Sequence, residues 1–419
     1  MPGEISRPAR RSLSRSGCVA VLAAVLAVSA AGATAWCIIR YPPPGALNVL
    51  WPVSNPQVAP ARYWRTVCAG VQCTLCPFRC FLPEGARGRC RVRLNSGGRL
   101  VTLVHSSPVS VHIDPIEKKP VFHLLPGSGI YSLATVGCNL RCDFCQNWEI
   151  SQTYPEQVRE GTVVPREVQF AGLSGGRPTF QLRQDVARTL PPEEVVQAAL
   201  ATHCRSIAYT YSEPTVFFEY VLETAKLAKK KGLKNVLVSG GYIEPEPLAE
   251  LAPYFDVVKI DLKGFDEGFY RRVVGGELRF VLRTLVELKK HKVLTEVVNL
   301  VVLTLNDRDD DFRKLARWVR ENLGPDTPVF FSRFTPQYRL QNLPATPVET
   351  MERAWRIAQR EGLQYVYLGN VPGHPAESTY CPACKRILIR RYGFAVLENH
   401  IGPDGRCPYC RKKIPGVWS

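Results

Sequence analysis

The chain has 419 residues, 45% hydrophobic and 22% charged, enough to bury a sizeable core and too mixed for a disordered or fibrous protein. Its 15 cysteines gather largely in closely spaced pairs within a long chain, which argues against a small disulfide scaffold and for reduced thiols serving metals. A net charge of +17 admits nucleic acid, anionic lipid or an acidic electron donor as partners, with a solvated basic face as the plain alternative; from Cys381 onward eight Lys/Arg stand against two acids.

Residues 1–16 form a basic region containing Arg7, Arg10, Arg11 and Arg15, followed by an uncharged run over 17–39. At about 1.5 Å per helical residue that run can span a bilayer core of roughly 30 Å. Arg10-Arg11-Ser12-Leu13 resembles a twin-arginine export signal and Ala33-Thr34-Ala35 a cleavage site. A transmembrane anchor, a cleaved export signal and an over-extended gene start all remain open. Membrane association through 17–39 is the expectation, and the flanking arginines would keep the first residues in the cytoplasm. The Pro-rich stretch 40–66 reads as a linker.

Residues 67–100 form a Cys-rich module. Cys73, Cys76, Cys80 and Cys90 follow a C-x2-C-x3-C-x9-C pattern, four thiolates that can close a zinc site or hold an iron–sulfur cluster. Gly85 and Gly88 permit the tight return before Cys90. Short strands are expected between Leu100 and Phe122.

From Ile130 apolar runs alternate with helical patterns. Strands are expected at 130–135, 206–211, 235–239, 256–262, 294–303, 328–334 and 364–368. Helices are expected over Pro192–Cys204, Thr215–Lys231, Leu278–Lys292, Asp309–Leu323 and Pro347–Glu361. Repeated strand–helix units imply a parallel sheet covered by helices, an α/β fold with too few units for a complete eightfold barrel. The expected core, 101–370, is thus a partial (β/α)6-type parallel barrel. Residues 151–190, rich in Gly and Pro, interrupt it as a lid, a mobile insertion or a spacer.

Polar residues break the apolar runs at strand C-terminal ends, the rim where parallel barrels bind ligands. After the first strand come Cys138, Cys142 and Cys145, spaced C-x3-C-x2-C. Three close thiols without a fourth leave one iron of a cubane open to a small molecule; a zinc loop or buried structural thiols are the alternatives. Ser212-Glu213-Pro214 follows the second strand, where Glu213 can accept from the amino group of an amino-acid ligand or simply cap a helix. Ser239-Gly240-Gly241 ends the third, letting backbone approach a bulky ligand or merely turn. Asp261 and Lys263 end the fourth and, alternating with Leu262, share one strand face; an inward pair there is costly unless it is matched or functional. Asn306 and Arg333 lie near the ends of the next two strands. Lone Cys204 reads as core.

At 376–419, Cys381-Pro-Ala-Cys384 and Cys407-Pro-Tyr-Cys410 form two knuckles that close a four-cysteine zinc-ribbon-like module. Zinc is favoured there over rubredoxin-type iron, with structure, partner docking or nucleic-acid contact as its role.

Over 67–419 the sequence resembles the AmmeMemoRadiSam-system radical S-adenosylmethionine enzymes, a branch similar to pyruvate formate-lyase activating enzymes. The resemblance is carried by Cys73–Cys90, Asp114-Pro-Ile-Glu-Lys-Lys-Pro120, Gly137–Ser151, Tyr209–Thr215, Asp261–Phe265, Phe331–Phe334, Val366–Asn370 and Ile414–Trp418. It implies a radical SAM-type barrel in which Cys138, Cys142 and Cys145 ligate a [4Fe–4S] cluster whose open iron binds S-adenosylmethionine. Ser212, Glu213 and Pro214 would stand for the usual Gly-Gly-Glu motif that orients the methionine amino group. Asp261 and Lys263 match an Asp-x-Lys motif at the cofactor and substrate side, and so are the expected catalytic pair. The branch usually carries Asn-Gly where Gly240-Gly241 stands and His where Phe330 stands. The resemblance further implies a flavodoxin- or ferredoxin-type electron donor, a protein or small-molecule hydrogen donor, and a cytoplasmic supply of cofactor that opposes the outward placement set by the arginines. RNA modification and a non-catalytic, metal-stabilised interaction module are the rival functions.

Overall fold

The structure, a computed structural model, describes residues 58–158, 163–174, 177–186 and 188–419. The basic region 1–16, the apolar run 17–39 and the linker up to residue 57 lie outside the described residues. Among the described residues no helix is long and apolar enough to cross a membrane. The expected transmembrane helix and the membrane association drawn from it therefore find no support among the described residues, and both expectations are withdrawn.

Eight strands form the central sheet: β1 Ser110–Pro115, β2 Gly129–Ala134, β3 Ser206–Tyr209, β4 Lys234–Ser239, β5 Val257–Asp261, β6 Leu294–Val301, β7 Val329–Arg333 and β8 Val366–Gly369. They lie side by side in chain order. β2 to β8 are parallel, and β1 pairs antiparallel with β2, Pro115 opposite Gly129. Six helices make the crossovers: α1 Pro192–Ala201, α2 Phe218–Lys230, α3 Pro245–Leu251, α4 Leu278–Lys290, α5 Asp309–Asn322 and α6 Val348–Arg360. This is the expected α/β partial barrel. Because helices cover one sheet face and the barrel interior the other, the strands are apolar almost throughout: β3 is buried at every position and β5 and β7 at all but the last.

Each long helix turns one apolar stripe to the sheet. On α5 it is Phe312, Leu315, Ala316 and Val319; on α6, Met351, Ala354, Ile357 and Ala358, the spacing of a single helical face. α3 lies where no helix was expected, since Pro-Glu-Pro-Leu-Ala-Glu-Leu is too short to show a period. Beneath the strand N-terminal ends Ile116, Val121, Leu124 and Leu125 pack on Ile130, Ala208, Val236 and Val257, so the segment between β1 and β2 plugs the barrel floor.

Of the expected linker 40–66 the structure describes 58–66, and this stretch takes part in small sheets. Ala59–Pro60 pairs with Arg99–Thr102, which pairs with Arg93–Ser96, and Trp64–Val67 starts a second small sheet with Gly70–Cys73 and Phe81–Leu82. The 151–190 insertion contains a long antiparallel hairpin, Val163–Ser174 with Arg177–Val186, whose two register shifts break the alternation that would have betrayed it. At the C-terminus Thr379–Tyr380, Ile387–Tyr392 and Ala395–Asn399 form a three-stranded antiparallel sheet.

Candidate functional site

A cavity of about 300 Å³ opens at the strand C-terminal ends, lined by Cys138, Cys142, Cys145, Glu213, Gly240, Asp261 and Lys263 among others. The loop that carries the three cysteines begins at Gly137, whose φ of +97° and close neighbours admit no side chain: a Cβ there would lie 2.6 Å from Val92 and 2.7 Å from the Cys90 carbonyl. Backbone bonds pin the loop from both sides. Gly137 N donates to Ile150 O at 2.9 Å, Arg141 N to Val274 O at 3.0 Å and Asp143 N to Val273 O at 2.9 Å.

Burial pushes the Cys142 thiol up to about 12 and raises Cys138 and Cys145 as well, so neutral thiols are favoured there unless a cation arrives. Leu140 N donates to Cys138 Sγ at 3.4 Å, and Ser151 Oγ lies 3.2 Å from Cys145 Sγ. Among the described residues no fourth cysteine lines this cavity. Three thiols on one braced loop, facing an open cavity, fit a metal cluster with one position left for a ligand.

Glu213 is buried and receives four donors: Thr215 N at 3.0 Å, Thr215 Oγ1 at 2.7 Å and Ser239 Oγ at 2.7 Å on Oε1, and Gly240 N at 2.8 Å on Oε2. The carboxylate therefore caps the short helix Pro214–Phe217 while also lining the cavity. Ser239 and Gly241 act behind it: Ser239 Oγ donates to Glu213 and accepts from Gly241 N at 2.9 Å. Pro214, Ser239 and Gly241 are not part of the cavity wall; Ser212 and Gly240 are. Gly240 is demanded by its neighbours, since a Cβ would come 2.9 Å from Leu140 and 3.3 Å from Glu213 Oε2. The Ser212 hydroxyl is buried with no hydrogen-bond partner, a polar group facing the same space.

Asp261 ends β5 and Lys263 lies just beyond it, yet the two pair, Nζ to Oδ2 at 2.8 Å, and Lys259, two residues before Asp261 on the strand, bonds Oδ1 of the same carboxylate. Burial alone would raise Asp261, but Lys259 and Lys263 hold it down to about 2. Burial opposes the Lys263 charge, but Asp261 overrides it and raises that ammonium above its ordinary value. Asn306 sits behind this group, its Nδ2 donating to Lys263 O at 2.7 Å and Leu300 O at 2.8 Å. Arg333 turns away to Thr346 O at 2.6 Å, and Ser332 and Asn370 face the cavity instead.

Two contributors to the cavity have no signal of that role in the sequence. The Asp114-Pro-Ile-Glu-Lys-Lys-Pro120 stretch brings Lys118 and Lys119 to the cavity, both paired with Asp114, which also accepts from the Tyr211 hydroxyl. Burial opposes the Asp114 charge, but the two lysines keep its carboxyl well below the ordinary range. Lys119 stands 4.0 Å over the Tyr211 ring. The C-terminal module supplies Gly393 and Phe394 from its hairpin, with Glu377 just ahead of it. Lys259 had a signal: it lies two residues before Asp261 on a strand, hence on the same face.

The sequence pattern of the Radical SAM superfamily matches residues 132–319, from β2 through α5. The uncharacterized protein MJ0808 of Methanocaldococcus jannaschii is 42% identical over 345 residues, spanning 82% of this chain and 95% of that one. The chain belongs to the radical SAM superfamily. Two solved structures bear a looser likeness. A domain of the pyruvate-formate lyase-activating enzyme from Bacteroides vulgatus has a TM-score of 0.35 at 13% identity, covering 39% of this chain and 99% of that one. SuiB of Streptococcus suis bound to S-adenosylmethionine has a TM-score of 0.41 at 11% identity, covering 64% and 56%.

Two further cysteine groups flank this radical SAM core. In the C-terminal module the sulfurs of Cys381, Cys384, Cys407 and Cys410 all lie within 4.8 Å of one another, with Cys381 to Cys410 at 3.5 Å and Cys384 to Cys407 at 3.7 Å. A tetrahedral zinc–thiolate centre, with Zn–S near 2.3 Å, places its sulfurs about 3.8 Å apart, so this group matches a single ion. Arg391 fastens the module to the core: buried, it reaches Glu117 at 3.5 Å, donates to Phe122 O at 3.1 Å and stacks 4.0 Å over the Phe122 ring. Phe122 in turn packs on Phe330 and Tyr367, so the Phe at position 330 belongs to the hydrophobic seam between module and barrel as well as to the cavity wall. The N-terminal group, Cys73, Cys76, Cys80 and Cys90, lines a second cavity. Cys68 is exposed and off the pattern, and Cys204 is buried in the core.

Proposed function

We propose that the three-cysteine loop holds a [4Fe–4S] cluster and that the chain cleaves S-adenosylmethionine reductively to abstract a hydrogen atom from a protein or small-molecule substrate, in the manner of glycyl-radical activating enzymes. The observation that carries this is the convergence of Cys138, Cys142, Cys145, Glu213, Asp261 and Lys263 from separate strand ends on one cavity. When bound, the cluster supplies one-electron cleavage of S-adenosylmethionine to a 5′-deoxyadenosyl radical. What the chain supplies is placement and protection.

Glu213, with Oε2 accepting a single protein donor, has capacity for the methionine amino group, and the backbone of Gly240 leaves room beside it. Lys118, Lys119, Lys259 and Lys263 put four ammonium groups in the wall beside Glu117, Glu213, Asp261 and Glu377. Ammonium groups so placed can meet a carboxylate on the cofactor or an acidic group on the substrate. Phe144, Phe330, Val298 and Leu300 give the interior an apolar lining, which keeps water from a reactive intermediate. An electron donor of the flavodoxin or ferredoxin type completes the reaction. Within the superfamily, the stretches shared with the AmmeMemoRadiSam branch favour that branch.

The test is anaerobic reconstitution with iron and sulfide, reduction in the presence of S-adenosylmethionine, and assay of 5′-deoxyadenosine. Wild type yields the nucleoside and Cys142→Ala yields none. An intact cluster spectrum without product from wild type overturns the chemistry, and equal product from Cys142→Ala overturns the ligand assignment.

A further inference from the structure

The cavity between the N-terminal module and the barrel is lined by Cys73, Cys76, Cys80, Cys90, Arg93 and Asn139. Arg93 is only 1% exposed. Its Nη2 donates to Arg62 O and lies 3.2 Å from Glu219, but its Nε and Nη1 have no hydrogen-bond partner. Idle donors on a buried guanidinium are expensive, and a neighbouring negative centre would satisfy them. Four thiolates around a metal are such a centre.

The arrangement differs from the C-terminal ribbon. There the sulfurs close on one another as a single ion requires. Here the four thiols surround a space of about 20 Å³ that also touches Thr215 and Val216, and they are not among the described groups whose ligand atoms lie within 4.8 Å of one another. A polynuclear centre held by four cysteines needs that wider spacing of its sulfurs.

Its position also has a use. Asn139 lines this cavity, while its neighbours Cys138 and Leu140 line the large one. One loop is therefore the wall between two thiol-lined spaces. Arg89 Nε donates to Asn139 O at 3.2 Å, and the Cys90 carbonyl comes so close to Gly137 that no side chain fits there. On the outer side Cys76 and Cys80 are only half-buried, and Arg79 and Arg89 beside them are exposed.

We propose that Cys73, Cys76, Cys80 and Cys90 hold a second iron–sulfur cluster that passes electrons inward to the Cys138–Cys145 site. A reduced flavodoxin- or ferredoxin-type donor, acidic at its docking face, gives up one electron across the Arg79/Arg89 surface. The second cluster accepts that electron and returns to its oxidised state on handing it on; no bond is made or broken in the transfer. The relay role rests on the function proposed for the three-cysteine loop, whereas the existence of the second cluster does not.

The deciding sample is the full chain carrying Cys138→Ala, Cys142→Ala and Cys145→Ala, reconstituted anaerobically with iron and sulfide. It is expected to keep an iron–sulfur Mössbauer spectrum and a reducible paramagnetic signal, with about half the iron of wild type. Zinc alone, or no metal, in that sample overturns the cluster even if wild type cleaves S-adenosylmethionine. The relay is read from Cys76→Ser/Cys80→Ser as the ratio of flavodoxin-driven to dithionite-driven 5′-deoxyadenosine formation. That ratio is expected to fall towards the donor-free control, and an unchanged ratio overturns the relay. If the double variant does not fold, Arg79→Glu/Arg89→Glu reads the same ratio at the docking face. Both clusters present without any cleavage would instead count against the proposed function.

Discussion

The C-terminal ribbon and the loop after β2 use the same ligand for opposite ends. In the ribbon, four sulfurs within 4.8 Å of each other would enclose a single ion and leave no position for a further ligand. In the loop, three thiols face a cavity of about 300 Å³ whose other walls carry Glu213, Asp261 and four lysines. A closed shell stabilises; an open one leaves a coordination position for a ligand. The difference shows that cysteine count alone does not separate structural from reactive metal, whereas the space beside the thiols does.

Substitutions at the two sites should separate accordingly. Cys142→Ala should cost more than the roughly 10–100-fold seen when a ligand's supporting partner is lost, because it removes a ligand itself. Its thermal stability should change little by comparison. Cys407→Ser should do the reverse. Structural zinc contributes an apparent 10–16 kcal/mol, roughly, in isolated fingers, so if a metal ion closes this group, Cys407→Ser should expose the Ile387–Tyr392 and Ala395–Asn399 strands to hydrogen exchange. Turnover should then fall only as far as Gly393 and Phe394 leave the cavity wall. If Cys407→Ser abolishes 5′-deoxyadenosine while the ribbon strands stay protected, the division between the two sites is wrong.

Asp261→Asn probes the open side more gently. It strips Lys259 and Lys263 of their shared anion, at a cost of about 1–3 kcal/mol once partial exposure is allowed for. With a carboxyl held down to about 2, the Asp261 contribution is complete above the unfolded value of about 4 and is lost as pH falls through about 2. Acid unfolding of wild type and Asp261→Asn should therefore converge in that window. A constant gap between the two curves through the window would remove Asp261 as the anchor of the lysines.

Much of this arrangement is legible in the amino-acid sequence. The parallel strands announce themselves because burial on both faces makes them continuous apolar runs, and their polar ends mark the rim. The metal groups announce themselves by spacing. What cannot be read there is long-range assembly. Nothing local to Lys118 and Lys119 says that the floor segment after β1 returns them to the cavity, and nothing in Arg391 names Glu117 and Phe122 as its partners. Ser239 and Gly241 were expected beside the ligand but stand behind Glu213, because a rim motif does not reveal which of its residues turns inward. The hairpin at 163–186 hid behind register shifts, and α3 behind its brevity.

The smallest effect concerns how the closed module is tied to the open one. His123 is buried, its Nδ1–H donating to Pro415 O at 2.6 Å and its Nε2 accepting from the Tyr367 hydroxyl at 2.8 Å. That network fits the neutral ring, and burial lowers its pKa from 6.5 to about 4. The stability it contributes is therefore fully present above pH 6.5 and is lost as pH falls through about 4. Trp418 lies 5.5 Å from the ring, so its emission, isolated by difference from Trp418→Phe, should report the transition. His123→Gln can make both hydrogen bonds but cannot titrate. It should fold, turn over normally at neutral pH and lack the acid transition. The same acid transition in His123→Gln would remove His123 as its cause; the buried Glu296 and Glu377, whose carboxyls burial raises to about 7, do not produce it, because groups raised in that way lose their contribution as pH increases.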